Sequence, residues 1–421
     1  MARCDFEADI VILGVGVGGH ACFRTLNRLL KRRGMDKRIL LIDKHNYFSF
    51  TPLYHEVASG SIEPAHCTTP LRELIYKTPH TFLQGGVEGI DPKKQTITTT
   101  RGTVAYRDAC VVALGSHTNF CNTPGAREHA YHVRSLDAAM TLQEALIEYL
   151  EACKESVAMS VVGGGATGVE VAGQFCYFAK HDIMKLYPQT RVTVRIIQAR
   201  SEILTPLPKK AKQKATKKLQ EMGVDILFNT KVKEVKPHAL VTEDGKEIQS
   251  DLTVWAAGFE NIAGTILPNA FVAEDGRIPV THGLHHADAA NLYAIGDIAR
   301  GTNPGDATPF PQLGEAAHNE GVYVARHIAS RYRNKTIKPF RFSSAGTLMP
   351  LGDWYGILSI KNRITFFGRT AWWIRRTFYL FFMPGFLRKL RIIADWNFHL
   401  FGFRYMLDMH KERRRKDGPN S

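Results

Sequence analysis

At 421 residues, with 44% apolar and 23% charged side chains, the chain has room for two or three ordinary domains and falls outside the disordered and low-complexity classes. Its 55 Lys and Arg against 40 Asp and Glu leave a formal charge of +15, which favours an anionic partner: a nucleotide, a nucleic acid or an anionic membrane surface. Seven cysteines, at 4, 22, 67, 110, 121, 153 and 176, have no CxxC spacing, which argues against a disulfide framework, a metal cluster or a redox dithiol and for a reducing compartment.

In chain order, the first element is Ile10-Val11-Ile12-Leu13, a continuous apolar run that predicts a buried parallel strand and leaves no room before it for a signal or transit peptide. It enters Gly14-Val15-Gly16-Val17-Gly18-Gly19, a helical stretch from about His20 to Arg32 and a second apolar strand, Ile39–Ile42, closed by Asp43. Gly14 makes the turn, Gly16 admits a pyrophosphate to the backbone, and Gly19 lets helix and strand pack closely. Unpaired N–H groups at the helix start face the phosphates, and the Asp43 carboxylate can accept from ribose hydroxyls.

The device recurs. An apolar run, Val157–Val162, enters Gly163-Gly164-Gly165-Ala166-Thr167-Gly168, a helix through about Leu186 and the strand Val192–Ile197. Two such loops in one chain predict two dinucleotide sites, with Gly163, Gly165, Thr167 and Gly168 around the second. Its second strand ends in Gln198 where the first copy has Asp43. A carboxylate there would repel the extra phosphate of NADPH by roughly 4 kcal/mol at about 4 Å in a dielectric near 20. Glutamine removes that repulsion, and Arg200 stands where it could meet a 2′-phosphate, so NADPH is expected to be accepted alongside NADH.

Short apolar strands closing on glycine follow at Val111–Gly115 and Val254–Gly258, and Leu292–Asp297 is a strand–glycine–acid junction. Asp297 there suits the ribityl or phosphate region of a flavin and is expected to cap a following helix. Lys209, Lys210, Lys212, Lys214, Lys217 and Lys218 read as a solvated helix face without an apolar stripe.

From Lys361 to Lys416, fourteen basic residues face three acids and alternate with aromatics such as Phe366, Trp372, Trp373, Phe381, Trp396 and Phe403. A helix from about Phe386 would align Leu387, Leu390, Ala394, Phe398, Phe401 and Tyr405, with Arg388, Asp395 and His399 on another face. Such a basic amphipathic helix suits a bilayer interface. An aromatic-lined core or homodimer interface is a second reading. A nucleic-acid patch is disfavoured by the aliphatics beside the charges. The longest uncharged aromatic stretch, Thr377–Leu387, has eleven residues and contains Pro384, whereas a spanning helix needs about twenty.

The succession of Gly14–Gly19, Ala113-Leu114-Gly115-Ser116, Gly163–Gly168, Ala256-Ala257-Gly258 and Ala294-Ile295-Gly296-Asp297 resembles the flavoproteins with two dinucleotide-binding domains. Phe50–Tyr54, Val57–Ile62, Gly168–Gly173 and the aromatic tail resemble, within them, the type II NADH:quinone oxidoreductases. The resemblance implies an α/β fold of two Rossmann-like domains, with an FAD domain at 1–120 and 265–340, an NAD(P)H domain inserted at 121–264 and a membrane-associating region at 341–421. It implies FAD at Gly14, Gly16, Gly19, Asp43, Lys44, Thr51, Pro52, Leu53, Gly115, Gly296 and Asp297, and NAD(P)H at Gly163, Gly165, Thr167, Gly168, Glu170, Gln198, Arg200 and Gly258, with Glu170 near the nicotinamide as the catalytic candidate. Glu170 also reads simply as a first-turn acid complementing its helix dipole.

The family's glutamine-rich quinone segment becomes Gly314-Glu315-Ala316-Ala317-His318-Asn319-Glu320-Gly321, so Glu315, Ala316, Asn319 and Glu320 are the quinone candidates. The resemblance implies a peripheral enzyme on the cytoplasmic face of the cell membrane, with a membrane quinone and anionic lipid as partners, no nucleic acid and no metal. Two other readings stand beside it. A sulfide-oxidising quinone reductase would use Cys121 and Cys153, which otherwise read as buried inert thiols, and a flavin-binding interaction protein would oxidise NADH slowly.

Overall fold

The computed structural model describes residues 5–152, 155–361, 364–383 and 385–401, the last four as backbone only. Cys4, Cys153, Pro384 and the tail from 402, including Phe403, Tyr405 and the basic run to Lys416, lie outside the described residues, as do the side chains of Phe398, His399 and Phe401. The chain divides into two compact units. One comprises Met1–Ser49, Thr68–His117 and Glu260–Ser344; the other comprises Phe50–Cys67, Thr118–Phe259 and Ala345–Ser421. The segment from Phe50 to Cys67 therefore groups with the second unit, whereas the sequence reading kept it with the first.

The first unit is built on five parallel strands in the spatial order Ala289–Ala294, Gly102–Val112, Phe6–Leu13, Ile39–Asp43 and Thr81–Gln84. Ile10, Val11, Ile12 and Leu13 are fully buried, because a parallel strand covered on both faces has no solvated side on which to place polar residues. Val11 and Leu13 join a core with Leu40, Ile42, Val104 and Leu292. The helix Val17–Arg32 packs along the helix Gly314–Arg331 so closely that a Cβ on Gly321 would stand 2.3 Å from the Gly18 carbonyl oxygen.

The second unit repeats the plan with parallel strands Ala130–Tyr131, Leu252–Trp255, Ser156–Val162, Arg191–Ile197 and Asp225–Leu227. In each unit the glycine loop leaves the carboxyl end of a strand flanked on both sides, the switch point at which open α/β sheets bind ligands. The helix Leu136–Glu151 starts at Ser135, whose Oγ accepts from the Ala138 N–H at 3.1 Å. The α/β architecture with two such sheets is the one expected.

The unit also carries an antiparallel sheet, Gly346–Pro350, Gly356–Ile360 and Ile364–Gly368, followed by helices Arg369–Phe382 and Phe386–Phe401. No helix among the described residues is long and apolar enough to cross a membrane.

Two local expectations are corrected here. The lysine-rich helix Lys209–Met222 does have an apolar stripe, since Ala211, Ala215 and Leu219 are buried at spacings of four. Its lysines are also not simply solvated: Lys212 pairs with Glu202 at 2.5 Å, and Lys214 and Lys218 lie over the rings of Phe367 and Tyr355. Alanines and lysine stems cover apolar surface that a search for large hydrophobics overlooks. In the last helix, Asp395 is buried with Ile392 and Trp396 and bonds His66, so the face expected to be polar is the one that packs inward.

Candidate functional site

The two glycine loops are built on the same plan at their first, third and sixth positions. Gly14 has φ +84° and Gly163 φ +109°, and a Cβ on either would meet the carbonyl oxygen of Ala113 or Ala256 at 2.5 or 2.6 Å. A Cβ on Gly19 or Gly168 would come within 2.0 or 1.9 Å of the carbonyl oxygen of Gly14 or Gly163, which fixes the close helix–strand approach. At Gly16 and Gly165, by contrast, a Cβ would meet nothing within 4 Å. That open space lies at the start of each helix, where the N–H groups are unpaired and neither first turn carries an acid. It is the shape a pyrophosphate requires.

The residue that ends or directly follows each second strand holds its loop. Asp43 Oδ2 accepts from the Val15 N–H at 2.7 Å, and Oδ1 accepts from His45 at 2.9 Å. Gln198 Oε1 accepts from the Gly164 N–H at 3.2 Å, the corresponding position of the second loop. Its Nε2 also donates to the Glu202 carbonyl at 2.7 Å, so the amide bridges two backbone segments in a way a carboxylate could not. Arg200, Thr167 and Lys44 are exposed. Gly115 has φ +72° with open space beyond it, and a Cβ on Gly258 would lie 3.7 Å from Cys121 Sγ.

Asp297 sits in a single tight turn, Gly296–Ile298, that passes into a short strand, so it caps no following helix; the next long helix begins at Gly314. Ser116 Oγ donates to Asp297 Oδ2 at 2.6 Å, and Gln312 Nε2 donates to the Asp297 carbonyl at 2.8 Å. Beneath the turn, buried Glu320 accepts from the Gly296 N–H at 2.6 Å, and burial raises its pKa to about 8. Of the other quinone candidates, Ala316 is buried, Glu315 accepts from Ser344 and Asn319 is exposed. Helical spacing thus splits the four between the interior and the surface.

The second unit contains a buried ionic centre that sequence reasoning missed. Glu56, on the short helix Tyr54–Ala58, accepts from Arg375 at 2.7 Å and from the Trp396 indole N–H at 2.9 Å, with Arg376 3.8 Å away. Arg375 also donates to the Pro52 carbonyl at 3.1 Å, and Arg376 reaches Asp353 at 3.3 Å. Burial would raise the Glu56 pKa, but the two guanidiniums outweigh it and hold it near 2. Leu53 is buried in the same segment, while Thr51 is exposed.

Glu170 lies at the edge of this centre. It sits beyond the first turn of the helix Ala166–Phe178, so it does not complement the dipole as a first-turn acid would. Its Oε2 stands 3.9 Å from His55 Nδ1, and burial raises its pKa to about 7 against the pull of Arg375. His55 is driven down to about 3 by burial and by Arg375, so it is neutral at ordinary pH. No sequence signal joins Glu56 to Arg375, 319 residues away; an Arg-Arg pair inside an aromatic run is the only hint.

The helix Arg369–Phe382 is inverted as a result. Arg375 and Arg376 are buried, whereas Trp373, Ile374, Phe378 and Phe381 are exposed on the opposite side, Phe381 by 73%. On the last helix Phe386, Leu387, Leu390 and Ile393 form an exposed stripe. Cys121 is exposed and free, contrary to the buried thiol expected. Among the described residues no group of three or more His, Cys, Asp or Glu side chains could hold a metal ion.

Comparison with known proteins agrees with this geometry. A family model described as pyridine nucleotide-disulphide oxidoreductase matches residues 8–321. The chain is similar to a type II NADH:quinone oxidoreductase of Haemophilus influenzae, 28% identical over 84% of this chain and 87% of that one. It is similar to the type II NADH:quinone oxidoreductase Ndh of Mycobacterium tuberculosis, 26% identical over 92% and 87%. In fold it is similar to NDH2 from Plasmodium falciparum solved in complex with NADH, with TM-score 0.83 at 18% identity over 95% of this chain and 100% of that one.

Proposed function

The chain belongs to the pyridine nucleotide-disulphide oxidoreductase family, and on that premise we propose that it oxidises NADH, and NADPH alongside it, through FAD and passes two electrons to a membrane quinone without pumping protons. The observation that carries the reading is the pair of open glycine loops, at Gly16 and Gly165, in two separately built sheets of one chain. The type II oxidoreductases among its relatives support quinone as the acceptor. Sequence spacing argues against a disulfide substrate, because no two cysteines stand closer than positions 110 and 121.

The first loop fits an FAD pyrophosphate, with Gly14, Gly16 and Gly19 around it. Asp43 keeps lone pairs for ribose hydroxyls after its two backbone bonds. Lys44, Gly115, Gly296 and Asp297 are assigned to that site, Asp297 oriented by Ser116, and the resemblance to the type II enzymes adds Thr51, Pro52 and Leu53 as flavin residues. When bound, FAD supplies the hydride acceptor and the onward electron transfer.

In the second unit, Gly163, Gly165, Thr167, Gly168 and Gly258 hold NAD(P)H. Gln198 places no negative charge near the ribose, and exposed Arg200 is available to a 2′-phosphate. Glu170, with a pKa near 7, holds a proton at its carboxyl in a large fraction of molecules at neutral pH. Exposed Asn319 and half-buried Glu315, with Ala316 and Glu320 behind them, are the acceptor-site residues. The exposed aromatic and aliphatic stripes, with their neighbouring basic residues, hold the protein peripherally on the cytoplasmic face of an anionic membrane.

Anaerobic mixing of the detergent-solubilised protein with NADH and then a short-chain quinone, followed by flavin absorption, tests this reading. Bleaching by NADH and recovery with quinone is the expected result. Bleaching without recovery overturns the acceptor assignment, and no bleaching overturns the nucleotide assignment.

A further inference from the structure

On the first unit, on elements other than those of its glycine loop, two histidines converge. His285 lies on an edge strand opposite Tyr293, and His327 lies on the helix Gly314–Arg331. Their ring centroids stand 5.9 Å apart. A Cβ built on Gly283 would be 3.0 Å from His285 Nε2 and 3.5 Å from His327 Nε2, so both nitrogens face one small space that the absent side chain leaves open. Among the described residues neither Nε2 has a hydrogen-bond partner, whereas both Nδ1 atoms are engaged. His285 Nδ1 donates to the His286 carbonyl at 3.1 Å. His327 Nδ1 is 3.0 Å from the Tyr293 hydroxyl, which Arg331 also approaches at 3.1 Å.

We propose that His285 and His327 form a binding site for a borderline divalent transition-metal ion such as Zn(II), Ni(II) or Cu(II), with water completing its coordination. Imidazole nitrogen binds these ions at about 2.0–2.1 Å, which stands two rings on one ion about 5–6 Å apart, as these two are. Ligating histidines characteristically donate their other N–H to a fixed acceptor, which sets ring orientation. The His286 carbonyl supplies that acceptor for one ring and the Tyr293 hydroxyl for the other. Both rings are half-buried, leaving the ion an entry path. Because no third His, Cys, Asp or Glu among the described residues joins them, the affinity is that of a two-ligand site, suited to reversible occupancy.

An ion there joins the loop from Thr281 to His286 to the helix that carries Glu320, under Gly296, about two turns earlier. The full chain, freed of any affinity tag, is titrated with Zn(II) and separately with Mg(II), following heat of binding and thermal midpoint. One saturable Zn(II) site, a midpoint rising with Zn(II) but not Mg(II), and affinity weakened about tenfold or more in His285→Ala and in His327→Ala support the proposal. Electron paramagnetic resonance of the wild-type chain with one equivalent of Cu(II) needs no variant, and hyperfine coupling to two imidazole nitrogens is expected. No saturable binding, binding retained in both variants, or a Cu(II) spectrum without two nitrogen ligands overturns it.

Discussion

Gln198 and Asp43 occupy equivalent positions and both accept from their loop's second N–H, yet only one carries a charge. On the proposed reading, replacing Gln198 by Glu puts a carboxylate near the NAD(P)H ribose, so NADPH use should fall relative to NADH. With about 4 kcal/mol as the full repulsion at 4 Å, the kcat/KM ratio should move by about tenfold or more toward NADH in steady-state assays of both cofactors. Glutamate cannot donate to the Glu202 carbonyl as Gln198 Nε2 does, so the variant should also lose about 1 kcal/mol of stability. An unchanged ratio would count against Gln198 as the discriminating residue. Glu320 gives a pH prediction. Its folded pKa near 8 exceeds the ordinary 4.5, so its protonated form stabilises the fold at low pH and that contribution is lost as pH rises toward 8. Glu320→Gln keeps an acceptor for the Gly296 N–H and removes the titration. Thermal melts of the two proteins should agree most closely near pH 5 and diverge in the variant's favour by pH 8.

At the level of elements, the junction of Glu56 with Arg375, Arg376 and Trp396 ties the helices of the C-terminal region to the segment around Tyr54. Removing one partner leaves buried charge uncompensated, so Glu56→Gln should cost about 3–5 kcal/mol. Limited proteolysis should then cut first between residues 369 and 401. The double variant Glu56→Leu, Arg375→Met should recover part of the loss, and a strictly additive double variant would show that the pair does not act as a unit. This junction also marks where sequence reading stopped. The strand–loop–helix units were legible because glycine spacing and an apolar run are local, and Ile10–Leu13 and Val157–Val162 announce their strands within a few residues. The ionic centre was illegible because its partners come from opposite ends of the chain. The same gap reversed the expectation for Asp395: helical periodicity finds a stripe but does not say which stripe meets the core. Ala211 and Ala215 were missed for another reason, since small residues beneath lysine stems leave little hydrophobic signal.

For the whole molecule, a charge of +15 and outward-facing Phe381, Phe386 and Leu387 predict membrane attachment with two contributions. Sedimentation with vesicles of anionic lipid should retain the protein, and zwitterionic vesicles should retain less. Phe381→Ser with Leu387→Ser should weaken both by a similar factor, while raised salt should weaken only the anionic case. Equal binding to both lipids, insensitive to salt, would leave the basic charge without a role there. The two-sheet plan was readable at this scale from motif order alone. The placement of Phe50–Cys67 was not, because that segment's grouping depends on partners such as Arg375 rather than on its own composition.

The inverted helix also bears on how the exposed apolar surface of the C-terminal region could be removed. Cutting the chain before residue 369 would strip away the exposed aromatics, but it would also remove Arg375, Arg376 and Trp396, the partners of the Glu56 carboxylate, and uncover the apolar residues they pack with. A shortened protein should therefore misfold or aggregate although its two nucleotide loops are intact. Solubility is better sought by resurfacing: polar substitutions at Trp373, Phe378, Phe381, Phe386 and Leu387 keep the arginines in place while removing the greasy exterior.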